Sequence, residues 1–204
     1  GLQALFQDLG RVGHGDVGVS TSGALDHGAA RQANRIVGNA SGATVIECLF
    51  GGFSFYADTD LTCTVTGAEA PLTINDQPVP LRTPVVVPAG AELSVGTPTC
   101  GTRNYVALRG GFVAPTVMGS TATDTLSKLG PDPIVSGQRL SVETDSVPVA
   151  VGEAEPRTLP DQLDSVTLRA VPGPRAHWCA PGELDTLAAQ TWTVSATSNR
   201  IALR

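Results

Sequence analysis

TVIECLFGGFSFYADTDLTCTVTGAEAPLTINDQPVPLRTPVVVPAGAELSVGTPTCGTRNYVAL, running from Thr44 to Leu108, decides the fold. Short runs rich in β-branched and aromatic residues are separated by turn formers. Thr44–Leu49, Gly52–Ala57, Leu61–Thr66, Pro84–Val87, Glu92–Val95 and Asn104–Leu108 all read as strands. Asn75-Asp76 reads as a two-residue turn joining Ala70–Ile74 to Val79–Leu81 in a hairpin. Pro88-Ala89-Gly90 reads as a tight turn. Short strands at even spacing predict a closed barrel or a compact sandwich, so the chain is expected to be mainly β with a few short helices.

Working outward, the stretch QDLGRVGHGDVGVSTSGALDHGAARQANRIVGN (Gln7–Asn39) precedes these strands. Glycine permits tight turns and close backbone approach. Ser20, Thr21, Ser22, Asp26 and the arginines bring polar groups that are costly to bury unpaired. The combination predicts a polar loop carrying binding or catalytic groups, followed by one helix. Asp26 is the expected N-cap. Ala30, Ala33 and Val37, with Ile36 beside them, form an apolar helical face, and Gly38-Asn39 stops it. A second polar loop starts at Arg109-Gly110-Gly111 and includes Gly119-Ser120-Thr121-Ala122-Thr123-Asp124.

Beyond this, residues 146–165 are rich in Pro, Glu and Asp and read as a linker. Val166–Val171 and Thr191–Ala196 are expected strands around a helix over Pro181–Gln190, with proline in its first turn. The expected organisation is a first β lobe over 1–145, the linker, and a second lobe begun over 166–204. A stretch of roughly 40 residues is too short for a core of its own, so that lobe is read as incomplete.

Composition narrows the function classes. Net charge is −6 and the basic residues are scattered, which argues against nucleic acid. No apolar run approaches the ~20 residues that a membrane span needs. The four cysteines form no C-x-x-C pair and read as free thiols in a reducing cytoplasm. His14, His27 and His177 share no metal-ligand spacing, so no metal is expected. There is no G-x-S-x-G elbow and no G-x-x-x-x-G-K-[ST] phosphate loop; Lys128 is the sole lysine.

The candidate catalytic residues are Asp26, Arg103 and Asp124. Asp26 either caps the helix or serves as an acid or base, and both together only if one oxygen stays free. Arg103 is either paired with Glu47 or aimed at an anionic substrate group, to which a guanidinium fork donates two parallel hydrogen bonds. Asp124 is the acid best placed for proton transfer. Ser20, Ser22, Ser120 and Thr123, like Thr121, are neutral donors suited to an oxyanion or simply to turn bonding. Arg11, Asn34 and Arg200 complete the expected substrate-binding set.

QDLGR (Gln7–Arg11), GVSTSGALD (Gly18–Asp26), ANRIVGN (Ala33–Asn39), Glu47 before a Gly-Gly turn, TGAEA (Thr66–Ala70), GTRNYVALRGG (Gly101–Gly111), VMGSTATDT (Val117–Thr125), SGQRL (Ser136–Leu140), VPGP (Val171–Pro174) and VSATSNR (Val194–Arg200) occur in this order. Together they resemble the biotin-dependent carboxyltransferase family. Its members include the C-type subunit of 5-oxoprolinase, also labelled allophanate hydrolase subunit 2, and half of the carboxyltransferase region of urea carboxylase. The resemblance implies two cyclophilin-like β-barrel lobes and an obligate partner, subunit 1, which is similar to the B-type subunit of 5-oxoprolinase. It implies a subunit of an ATP-dependent amide or lactam hydrolase of the bacterial 5-oxoprolinase type, with a small-molecule amide as substrate and ATP bound with the partner subunits. The alternatives are transfer of CO2 from carboxybiotin to urea or a similar amide, and a regulatory partner of subunit 1 without turnover. Asn199 and Ala202 stand where the family pattern has an acid and a glycine, which weakens any catalytic role for that segment and lends weight to the regulatory alternative.

Overall fold

The computed structural model describes residues 3–143, 150–157, 167, 169–173, 175–195 and 197–198. The chain divides into two compact units, residues 1–161 and 162–204. The first unit is mainly β. Its five-stranded sheet takes β1 (Gln3–Gln7), β2 (Val45–Leu49), β9 (Cys100–Leu108), β4 (Leu61–Glu69) and β7 (Val85–Val87) in that spatial order. A four-stranded sheet takes β3 (Phe53–Tyr56), β8 (Glu92–Val95), β5 (Leu72–Ile74) and β6 (Gln77–Pro78) in that order. The short pair β10 (Phe112–Val113) and β11 (Ser141–Val142) stands apart. All of these pairings are antiparallel.

The strand positions follow the sequence pattern closely, but no closed barrel ladder forms among the described strands. The break comes at Phe50-Gly51-Gly52, three successive residues at positive φ (56°, 64° and 65°) that carry the chain from β2 in one sheet to β3 in the other. A side chain on Gly51 would collide with the Gly96 carbonyl, so the crossing needs glycine there. The two sheets bury one common core. Ile46, Cys48, Val65 and Val106 come from the first sheet and Leu72, Leu93 and Val95 from the second, with Phe6 packed edge-on against Phe112. Each such side chain contributes roughly 1.5–3 kcal/mol by leaving water. The result matches the sandwich alternative.

The other face of the first sheet carries helix α1 (His27–Ile36). Its alanines Ala29, Ala30 and Ala33, with Val37, lie on Val45, Tyr105 and Ala107; such small side chains let the helix sit close to the strands. Asp26 caps it as expected, with Oδ1 accepting from Ala29 N at 2.9 Å. At the other end Gly38 (φ 73°) and Asn39 return their amides to the Arg35 and Asn34 carbonyls and end the helix. The Asn75-Asp76 turn has both residues at positive φ, as a tight hairpin turn requires.

The second unit, by itself, contains a helix α2 (Glu183–Ala189), inside the stretch expected to be helical. The expected strands Val166–Val171 and Thr191–Ala196 do not form among their described residues, which have no ladder partner to pair with. None of this unit's described residues is buried. Among the described residues no helix is long and apolar enough to cross a membrane.

Candidate functional site

The loop from Gly18 to Asp26 is held at both ends by carboxylates from elsewhere in the chain. At its start, the Ser20 hydroxyl donates to Asp124 Oδ2 at 2.6 Å. The other Asp124 oxygen accepts from the amides of Leu126 and Ser127 at 2.9 and 3.0 Å. Burial pushes this carboxyl up, but the hydrogen bonds from Ser20, Ser127 and Leu126 outweigh it and hold it near 2. Asp124 is therefore an ion with each oxygen already accepting, and a weak base at neutral pH.

Asp8 ties the first polar loop to the second. Its Oδ1 accepts from Gly10 N and Ser120 Oγ, each at 2.7 Å, and its Oδ2 accepts from Thr121 N at 2.8 Å. Thr121 Oγ1 shares a bond with Thr44 Oγ1 at 2.8 Å. Arg11, expected to meet substrate, is only 2% exposed. It turns inward, donating through Nη2 to the Ala122 carbonyl and through Nε to the Val117 carbonyl at 3.4 Å. The carbonyls of the second loop need donors, and Arg11 supplies them. The two hydroxyl-rich segments thus meet as expected, but at a filled joint. Gly10 makes it tight: a Cβ there would strike the carbonyls of Thr21 and Ser22.

At the far end of the same loop a second arrangement is built on Glu47, in β2 and 3% exposed. Glu47 Oε2 accepts from Leu25 N at 2.8 Å and from the Tyr105 hydroxyl at 2.9 Å. Tyr105 in turn accepts from Asp26 N at 2.8 Å. Burial, and then the negative charge of Glu47, push the Tyr105 phenol well above its ordinary range, so it stays a neutral bridge. Glu47 Oε1 accepts from Arg103 Nε at 3.3 Å. Of the two readings of Arg103, pairing with Glu47 is therefore realised, but only through Nε. Nη1 donates to the neighbouring Thr102 hydroxyl at 3.3 Å, and Nη2 has no partner among the described residues.

This end keeps unoccupied polar groups. Asp26 uses one carboxylate oxygen for the cap and leaves the other without a partner among the described residues, the condition under which capping and chemistry coexist. Ser22, whose carbonyl lies against Gly10 in the joint, sits at φ 56°, a conformation rarely adopted outside glycine, and its hydroxyl has no partner among the described residues. Leu25 and Phe50, large apolar residues near these groups in the chain or the ladder, are about half exposed (51% and 45%). Asp26 and Arg103 are thus brought to the Glu47 carboxylate, whereas Ser22 lies with its carbonyl against Gly10 in the joint, and Asp124 and Ser20 are engaged with each other at the opposite end of the loop.

Of the remaining candidates, Asn34 and Ser120 are engaged within the fold. Asn34 is buried and donates to the Ala43 carbonyl at 2.8 Å while accepting from Asn39, pinning the turn after α1. Ser120 holds Asp8 and the Ala122 amide. Thr123 is buried; its backbone joins Phe6 and Gln7, while its hydroxyl has no partner among the described residues. Arg200 lies outside the described residues. Burial pushes the Cys63 thiol up to about 12 and Cys48 higher still, so neither is a nucleophile at neutral pH. Two participants escaped the sequence reading. Asp8 carried a signal, the D-x-G spacing of a side chain bonding the amide two residues on. Tyr105 carried none, because its reach to Glu47 depends on strand register.

Both the sequence and the fold have known relatives. Residues 17–204 match the family model for the carboxyltransferase domain, subdomain A and B, and the chain belongs to that family. It is 32% identical over 207 residues to the C subunit of 5-oxoprolinase from Escherichia coli (strain K12), covering all of this chain and 66% of that protein. It is 39% identical over 131 residues to urea amidolyase of Saccharomyces cerevisiae, covering 64% of this chain and 7% of that one. Among solved structures, TTHA0988 superposes with a TM-score of 0.73 at 33% identity, covering 80% of this chain and 33% of that one. The urea amidolyase of K. lactis superposes with a TM-score of 0.60 at 32% identity, covering 78% and 10%. The chain therefore spans about two thirds of its bacterial relative and a small part of the yeast ones.

Proposed function

We propose that the chain is the C-type subunit of a 5-oxoprolinase-like enzyme, which opens the lactam of 5-oxo-L-proline to give L-glutamate. The observation that carries this reading is the Arg103–Glu47 pair. A guanidinium fixed through Nε and open at Nη2 among the described residues is suited to a substrate carboxylate. In this reading Arg103 holds that carboxylate and the open oxygen of Asp26 accepts a proton from the attacking water. The likeness along the whole chain to the C subunit of the Escherichia coli 5-oxoprolinase supports it.

ATP does not fit the described residues. The N-terminus of α1, the natural place for phosphate, is closed by the Asp26 carboxylate, and Lys128 lies exposed on a turn. We assign ATP to the partner subunits, of which a B-type 5-oxoprolinase subunit is one. We also read residues 1–145 as a cyclophilin-like lobe, 146–165 as a linker and 166–204 as the beginning of a second lobe, and place the protein in the cytoplasm on the strength of its free thiols. The test is to mix the full-length protein with the products of its neighbouring subunit genes and to follow glutamate. ATP-dependent release from 5-oxo-L-proline is expected, and an inert mixture overturns the reading.

The family model and the urea amidolyase relatives favour a second reading, transfer of CO2 from carboxybiotin to urea or a related amide. Avidin-sensitive turnover would support this alternative against the first.

A further inference from the structure

Three neighbouring strands each lay one polar side chain in a row beneath the first turn of α1. Glu47 in β2 stands opposite Tyr105 in β9, and Tyr105 stands opposite Thr66 in β4. Directly opposed residues of antiparallel strands share a face and lie within reach of one another. All three are buried, Tyr105 and Thr66 completely. A hydroxyl in such a place needs partners, and both find one on α1 or its cap. Tyr105 accepts from Asp26 N at 2.8 Å, and Thr66 Oγ1 donates to the Ala29 carbonyl at 2.8 Å.

These two bonds grip one residue, Asp26, in two ways. Asp26 Oδ1 is held by Ala29 N, so the residue that donates to the cap is the one that Thr66 ties to the sheet. The Asp26 amide is held by Tyr105, whose own proton goes to Glu47 Oε2 at 2.9 Å. Leu25 N, one residue earlier, ends on the same Glu47 oxygen at 2.8 Å. The other Glu47 oxygen takes Arg103 Nε at 3.3 Å. An unbroken path of hydrogen bonds therefore runs from Arg103 through Glu47 and Tyr105 to Asp26. Asp26 closes a glycine-rich loop, and this path refers it to the sheet, where side chains are held more tightly than on loops.

We propose that Tyr105 and Thr66 are positioning residues: they mount the first turn of α1 on the sheet and so fix the second carboxylate oxygen of Asp26 relative to the Arg103 guanidinium. This rests on the reading above, in which Asp26 takes the proton and Arg103 holds the substrate carboxylate. Neither hydroxyl has its proton to spare for a substrate, since Tyr105 gives it to Glu47 and Thr66 gives it to Ala29. Both act through Asp26. A reacting group misplaced by about 1 Å costs roughly 100-fold in rate, so a loosened mount shows in kcat. Substrate capture is spared, because Glu47 keeps Arg103 and the Leu25 amide when the phenol oxygen is removed.

The experiment compares Tyr105→Phe and Thr66→Val with Thr44→Val, which removes a buried hydroxyl bond of 2.8 Å from the joint at Thr121. Steady-state kinetics of the assembled complex, corrected for folded fraction, should show kcat lower by about 10-fold for Tyr105→Phe and about threefold for Thr66→Val, with KM within about twofold of the parent's. Thr44→Val should keep the parent's kcat at a comparable fall in melting temperature. In an Asp26→Asn background Tyr105→Phe should cost nothing further in kcat, because the group it places is already gone. Amide hydrogen exchange on the full-length protein alone supplies a readout independent of turnover. Exchange about 10-fold faster at Asp26 in Tyr105→Phe, and faster at Ala29 in Thr66→Val, is expected. Parent-like exchange at both amides overturns the mount whatever the activity. Faster exchange with kcat unchanged, or the same kcat loss with and without Asp26→Asn, overturns the positioning role. A parent complex inert with 5-oxo-L-proline overturns the functional reading instead, and the exchange arm alone then decides the mount. If Tyr105→Phe fails to fold, Thr66→Val carries both arms.

Discussion

The two ends of the Gly18–Asp26 loop are both anchored on carboxylates, yet they differ in what they leave over. At the Asp8–Asp124 end the donors are hydroxyls and amides, and the two carboxylates accept from them at every oxygen. At the Glu47 end the anchor is an ion pair with Arg103, and a neutral phenol links the same carboxylate to the Asp26 amide; this end leaves Arg103 Nη2 and an Asp26 oxygen open among the described residues. Saturated carboxylates give rigidity at the first end, where Arg11 Nη1 and Thr123 Oγ1 are nonetheless buried without a partner among the described residues; at the Glu47 end the open groups can bind something. The same residue types, drawn from the same glycine-rich sequence, thus divide into scaffold and candidate site.

The sharpest way to break this contrast is Glu47→Ala. It leaves the Arg103 guanidinium, Tyr105 and the Leu25 amide without their acceptor, and removing one partner of a buried pair typically costs about 3–5 kcal/mol. Denaturant unfolding should show that loss, and Glu47→Gln should recover part of it. Asp8→Ala should cost about 2–3 kcal/mol, because buried Ser120 and the Thr121 amide lose their acceptor. If the first loop is only structural at this end, ligand binding by the folded fraction should be unchanged.

The Asp124 carboxyl sharpens the comparison by pH. Its folded value is depressed to about 2 from an ordinary 3.8, so the stability it confers is complete above pH ~4 and fades as pH falls toward 2. The loss amounts to about 2 kcal/mol. Asp124→Asn should remove that share of the acid dependence, as measured by unfolding free energy across this window. The smallest effect belongs to Asp26. Asp26→Ala should lower stability by about 1 kcal/mol through the lost cap. Asp26→Asn keeps the cap, so a loss of turnover in that variant at unchanged melting temperature assigns chemistry to the open oxygen.

Much of this was legible in the sequence. Asp26 and Gly38-Asn39 bracket α1 because capping is a local matter, and the strands follow β-branched runs punctuated by turn residues. The pairing of Arg103 with Glu47 was one of two open readings. What escaped depends on distant register and on burial. Arg11 and Asn34 look like ligand residues until the loop carbonyls around them are seen, and Tyr105 becomes a bridge only because β9 sets it opposite Glu47. The barrel failed at a local feature, Phe50-Gly51-Gly52, whose left-handed run redirects the chain between sheets.

The most direct test of the open end is Arg103→Lys in the assembled complex. It keeps the charge beside Glu47 and discards the fork. Steady-state turnover of 5-oxo-L-proline should lose about 100-fold in kcat/KM, chiefly through KM, with a melting temperature close to that of the parent. Turnover equal to the parent's, or a loss no larger than the change in folded fraction, would contradict the assignment of Arg103 to the substrate.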